Sequence, residues 1–183
     1  KIKINIIGII STNDIKLTKK SNKIIKNVSG KIIETLNLKN KEELILCDLL
    51  TYSKKYNPNI IINISTSQNS SENINYIILH SNNSKLAHDL SIAGKITDIF
   101  CWKMPLLKKN NKISINSKNN IIIMNYSKKE KHIYIAHFLS NFSKNTPWAH
   151  INIQNMTKKN NKITNKPIKL LLQYIVNLSL NIF

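Results

Sequence analysis

The sequence predicts an α/β fold of layered strands and helices, and three observations carry that prediction. Short β-branched runs bounded by turn residues alternate with longer segments of helical periodicity. The run 59–66, NIIINIST, is apolar without clean alternation, as expected of a strand covered on both faces of a parallel sheet. Pro167 opens a final apolar segment, where its fixed φ suits the first position of a helix.

Taken in order, residues 2–10 (IKINIIGII) read as a buried strand and 11–30 as a Lys-rich loop ending at Gly30. Residues 31–36 (KIIETL) form a second strand. From Lys41 to Tyr56 the pattern is helical, with Ile45, Leu49, Tyr52 and Tyr56 on one face and Leu46 and Leu50 beside them; Asn57-Pro58 ends it. After the strand at 59–66 comes a polar loop, 67–73. Residues 76–79 form a short strand or buried helix. Residues 84–95 form a helix with Leu86, Leu90 and Ala93 inward, and 99–107 are irregular or extended. The polar stretch 108–120 reads as a loop and 121–124 as a short apolar segment. Residues 128–143 form a helix burying Ile135, Phe138, Leu139 and Phe142. Residues 148–153 form a strand and 158–165 a loop. The last helix turns Ile168, Leu171, Leu172, Ile175 and Leu178 inward. Nothing repeats, and no linker divides the chain.

The 183 residues suffice for one domain with a real core. The chain holds 28 Lys, no Arg, 29 Asn and 35 Ile, so three residue types make up half of it. A net charge of +19 would ordinarily suggest nucleic acid or an anionic membrane. Two features weigh against a dedicated surface. Arg, the residue suited to bidentate phosphate and base contacts, is absent, and the lysines run from Lys1 to Lys169 without clustering. Lys, Asn and Ile share AT-rich codons, so the bias fits an AT-rich genome such as that of a bacterial endosymbiont or an organelle. Nonspecific nucleic-acid binding at low salt still follows from the charge. Three glycines cannot supply a Gly-rich phosphate loop, and no apolar run approaches the ~20 residues of a membrane helix.

The residues by themselves give little chemistry. Cys47 and Cys101 have no CxxC or Cys/His ligand spacing and read as buried apolar side chains in a reducing compartment. His80, His88, His132, His137 and His150 match no metal motif; His132 and His137 are five apart and fall on different helix faces. Glu42 and Glu43, near Glu34 and Asp48, read as a solvated helix start, where acids favour the dipole.

An ordered set of segments goes further. KINIIGII is similar to the strand "LPVNVVGL", and NVSGKIIETLN (27–37) to "SMSGKTIEVLN". LILCDLLTYSKKYNPNIIINIST (44–66) is similar to "LVLADALTYA…KPDAIIDLAT". SKLAHDL, CWKMPL, FLSNF followed by TPWAHINI, and KPIKLLLQYI follow in the same order. These resemble the C-terminal part of the catalytic domain of the leucyl (cytosol) aminopeptidase family. The resemblance implies a three-layer helix/sheet/helix domain with a mostly parallel mixed sheet. Residues 1–183 would then be the C-terminal portion, with the N-terminal domain and the first part of the catalytic domain absent. It also implies a metal-dependent exopeptidase that removes N-terminal residues from peptides. Two divalent ions, manganese or zinc, would bind the substrate amine and carbonyl and activate a bridging water.

The chain departs from the family where those ions belong. Asn37 matches the first residue of the signature Asn-Thr-Asp-Ala-Glu-Gly-Arg. Lys39 stands for the ligand Asp, Lys41 for the ligand Glu, and Glu43 for the catalytic Arg. Asn63 replaces the Asp of "DLAT". Thr66, Ser67, Gln68 and Asn69 replace the "TLTG" that lines the substrate carbonyl. A Gly-rich loop becomes Lys-rich near 125–132, and "KGATG" becomes 161–165. A protonated Lys has no lone pair for a metal. Two unit charges ~4 Å apart interact by ~4 kcal/mol at an effective dielectric constant of ~20, and a divalent ion doubles that. Glu43 inverts the charge beside the developing oxyanion.

The expectation is therefore a leucyl aminopeptidase-like protein, cytoplasmic by its family, that is degenerate and inactive as it stands and binds metals weakly or not at all. The alternatives are an active enzyme using other ligands, or a non-catalytic assembly protein. The partners implied are peptides if it is active, and a homo-oligomer (the family forms hexamers) or an intact paralogue, with no membrane.

Overall fold

The computed structural model describes residues 3–11, 23–35, 41–66, 76–106, 113–116, 121–124, 131–143, 145–153, 158–159 and 162–183. The fold is α/β, with mixed sheets and, among the described residues, four helices, the class predicted. The chain divides into two compact units. One comprises Ile9–Ile61 and Leu106–Thr146; the other comprises Lys1–Gly8, Ile62–Pro105 and Pro147–Phe183. Each unit gathers segments distant in sequence, so no linker could have marked the division.

The first unit holds a four-stranded sheet of β1 (Lys23–Lys26), β2 (Ile32–Thr35), β6 (Ile113–Asn116) and β7 (Ile121–Met124), in the order β1-β2-β7-β6. β2 runs parallel to β7; the outer pairs are antiparallel. The turn between β1 and β2 is built by Asn27. Its buried side-chain oxygen accepts from the Ser29 and Lys31 backbone N–H groups, both at 3.0 Å, and from the Ser29 hydroxyl at 2.6 Å. Gly30 supplies the positive φ of 80° that closes the turn. The same turn docks on helix α1 (Lys41–Ser53): the Val28 N–H donates to Asp48 Oδ1 at 2.9 Å. A short 3-10 turn, Lys54–Tyr56, extends α1 to Asn57 in the left-handed region. α1 packs against α3 (Lys131–Ser140), and Tyr134, Ile135, Phe138, Leu139 and Phe142 form the core there.

The second unit holds the sheet β3-β8-β4-β5: β3 (Ile61–Ser65, its first residue assigned to the other unit), β4 (Tyr76–Ser81), β5 (Phe100–Lys103) and β8 (Trp148–Asn152). β4 is parallel to β5 and antiparallel to β8. Helix α2 (Ser84–Ile96) packs on this sheet and against α4 (Lys166–Ser179). Asn83 caps α2 by accepting from the Leu86 N–H at 2.8 Å. Two-residue strands β9 (Lys158–Lys159) and β10 (Lys162–Ile163) pair as a small hairpin.

Several expectations need correction. Residues 3–11 form no strand. Among the described residues they have no ladder partner, and Ile6, Ile7 and Ile10 are exposed. β-branched content favours a strand only where a neighbour pairs with it. Conversely, β1 lies in the segment read as a loop, and β6 in the polar stretch 108–120. Both are four-residue pieces whose pairing, rather than composition, makes them strands. The 158–165 loop contains β9 and β10. Residues 99–107, read as irregular or extended, hold the extended β5. In α1 the buried face is Glu43, Leu44, Cys47 and Leu50, while Tyr52 and Tyr56 are exposed. In α4 it is Pro167, Leu170, Tyr174 and Asn177. Ile168 and Leu172, expected inside, are 61% and 57% exposed. α4 packs on α2, and only one edge of its wide apolar arc is buried, which the sequence does not reveal.

Candidate functional site

Of the residues expected at the signature positions, Lys41 and Glu43 lie at the start of α1. Lys41 is the first residue of that helix. Glu43 sits in its first turn and is 1% exposed, one helical turn before Cys47 on the same face. Glu42 faces solvent, as expected of a helix start; Glu43 does not. Cys47 is fully buried beneath the Asn27 turn. Its thiol donates to the Leu44 carbonyl at 3.0 Å and lies 4.0 Å from Asn27 Nδ2. Burial and the neighbouring Asp48 carboxylate push its pKa up to about 12. Cys101, half-buried, is pushed up to about 11 by burial. Both are free thiols; Cys47 is buried as expected, whereas Cys101 is only half-buried. Lys39, Asn37, Ser67, Gln68 and Asn69 lie outside the described residues, as do 125–130 of the first replaced loop; the second, 161–165, holds β10.

Lys31 reaches from the edge of β2 to α3. Its Nζ donates to the Asn141 carbonyl at 2.9 Å and lies 4.9 Å from the Phe142 ring centre. This cation joins the strand before the signature to the helix that packs on α1. In α3, His137 is half-buried, and burial lowers its pKa.

In the other unit Thr66 follows β3 and is exposed. Behind it lies a polar cluster within the core. The Trp148 indole N–H donates to Asn63 Oδ1 at 2.7 Å. Asn63 Nδ2 is 2.7 Å from His150 Nδ1, and His150 Nε2 is 3.5 Å from Ser65 Oγ. His80, directly across from His150 on β4, has its ring 6.4 Å away. Sequence reasoning put His150 on a strand beside Trp148 and noted Asn63 only as a departure. The period-2 spacing of Trp148 and His150 was the available signal that they share a face.

The donor set expected for a pair of divalent ions is not what these residues provide. Among the described residues no three His, Cys, Asp or Glu side chains come together. On the resemblance, the two ligand places would be lysines and the place of the catalytic cation would be the buried Glu43; an ammonium group offers a divalent ion no lone pair. Among the described residues no helix is long and apolar enough to cross a membrane.

Comparison with known proteins agrees with the fold. The catalytic domain of the cytosol aminopeptidase family matches residues 1–172. A probable cytosol aminopeptidase of Buchnera aphidicola subsp. Baizongia pistaciae is 33% identical over 97% of this chain and 37% of its own length. One from Blochmanniella floridana is 32% identical over 98% of this chain and 37% of its own. One from Wigglesworthia glossinidia brevipalpis is 33% identical over 84% of this chain and 32% of its own. The chain thus spans about a third of the length of these relatives. By the match of the family's catalytic-domain model to residues 1–172, this polypeptide belongs to the cytosol aminopeptidase family.

Proposed function

We propose that the chain is a leucyl aminopeptidase-like protein, descended from metal-dependent exopeptidases that remove N-terminal residues from peptides, whose own catalytic centre has decayed. What supports this reading is the register of the resemblance, in which Lys39, Lys41 and Glu43 fall on the two ligand places and the Arg place of the signature; Lys41 and Glu43 lie in the first turn of α1. Ammonium groups repel divalent ions and offer them no lone pair, and burial could neutralise a lysine only at the cost of doing so twice. The expected result is no hydrolysis of Leu-p-nitroanilide by the purified protein with manganese or zinc. Turnover abolished by a chelator would overturn the reading and favour an enzyme using other ligands. The relatives' names support a cytoplasmic setting.

A second reading, as a non-catalytic assembly partner, is favoured by α4. Ile168, Leu172 and Val176 form an exposed apolar row at i, i+4 spacing. It predicts an oligomer, or co-purification with an intact paralogue. A lone monomer in sizing would count against it.

A further inference from the structure

We propose that Asn63 is a positioning residue that sets the tautomer of His150, and that the row Trp148, Asn63, His150 and Ser65 clamps the end of β3 in a form that acid releases. The assignment begins with the indole, which can only donate. Its N–H points at Asn63 Oδ1 from 2.7 Å, and that identifies the oxygen end of the amide. The Nδ2 end therefore faces His150 Nδ1, also at 2.7 Å. An amide nitrogen has no acceptor lone pair, so Nδ1 must accept. A neutral imidazole that accepts at Nδ1 carries its proton on Nε2. That proton is directed at Ser65 Oγ across a longer gap of 3.5 Å.

Two consequences follow. Serine, histidine and asparagine here form the residue types of a nucleophile, base and orienting group, but the row runs in reverse: Nε2 donates to Ser65 and cannot take its proton. Protonation of His150, in turn, would set an Nδ1–H against the Asn63 amide N–H at 2.7 Å. Asn63 would have to rotate, which removes its oxygen from Trp148, or withdraw. Trp148 and His150 are both buried in the core, so either response leaves a buried polar group short of its partner.

The charged surroundings of this row can be named. β3 brings Asn63 and Ser65, neither of which titrates, and β4 brings His80. β8 adds no other titratable side chain between Trp148 and Asn152. α2, packed against β8, carries Asp89 in an ion pair with Lys85 at 2.8 Å, and His88 and Lys95 on exposed positions. A charge on His80 would add repulsion to a charge on His150.

The test needs neither metal nor activity, so it is independent of the functional reading above. In the full protein labelled with 15N-histidine, the neutral-pH spectrum should show His150 protonated at Nε2 and bare at Nδ1. As acid charges His150, the Trp148 indole N–H resonance should shift in the same pH range. Asn63→Asp offers a carboxylate acceptor to Nδ1, and should move the proton there and raise the pH at which the ring charges. A parent His150 protonated at Nδ1, or a Trp148 resonance that ignores the His150 titration, would overturn the proposal. The parent spectrum decides the tautomer even if the variant fails to fold.

Discussion

Cys47 shows how one buried side chain ties the candidate helix to the strand before it. Its thiol is held neutral by burial, with a folded pKa of about 12 against an ordinary 9.0. A raised folded pKa means the native state keeps its proton where the unfolded chain loses it. The contribution is complete below pH 9 and is lost as pH rises from there toward 12. At pH 10.5 the loss is about 2 kcal/mol, at ~1.4 kcal/mol per unit. Urea unfolding at pH 8 and pH 10.5 should show this drop, and Cys47→Ala should flatten it. An equal alkaline loss in the variant would assign the effect to other groups. At this scale the sequence was legible for Cys47, read as an inert buried thiol. It was not legible for Glu43, because acids at a helix start ordinarily face water and only tertiary packing decided otherwise. Nor did it reveal the Asn63–His150 contact, which joins residues 87 positions apart.

At the scale of elements, α2 and α4 carry the clearest tests. A Cβ at Gly94 would meet the Ile99 carbonyl oxygen at 2.5 Å and Cys101 Sγ at 2.8 Å. Helix propensity favours Ala over Gly by about 1 kcal/mol, but overpacking costs about 1–3. The backbone oxygen cannot move aside cheaply, so Gly94→Ala should destabilise, measured as a lower urea midpoint. An unchanged or higher midpoint would show that the helix and β5 can part there. In α4, Leu170→Ala should cost roughly 2–5 kcal/mol, whereas Leu172→Ala should stay within about 0.5, because only Leu170 faces the core. Helix α2 was readable because Leu86, Leu90 and Ala93 fall on one stripe. In α4 the apolar arc is wide and only its Leu170–Tyr174 edge is buried, a choice the sequence does not show. Strands β1 and β6 were missed for a different reason: each is only four residues between polar stretches, so even the alternation of Ile113 and Ile115 in β6 is too short to stand out, and pairing supplies the rest.

For the whole molecule, charge and family ancestry give separate predictions. With +19 and no Arg, any binding to nucleic acid should be salt-driven and indifferent to sequence. Affinity for two unrelated oligonucleotides should fall in parallel as salt rises. A sequence preference that survives salt would contradict this. Family membership was legible because many segments recur in order, each too short to be specific alone. The two-unit organisation was not, since each unit is assembled from separated stretches of chain. If lysines have displaced the cation pair, as proposed, elemental analysis of the protein dialysed after exposure to excess manganese or zinc will find well under one ion per chain; two tightly held ions per chain would contradict this.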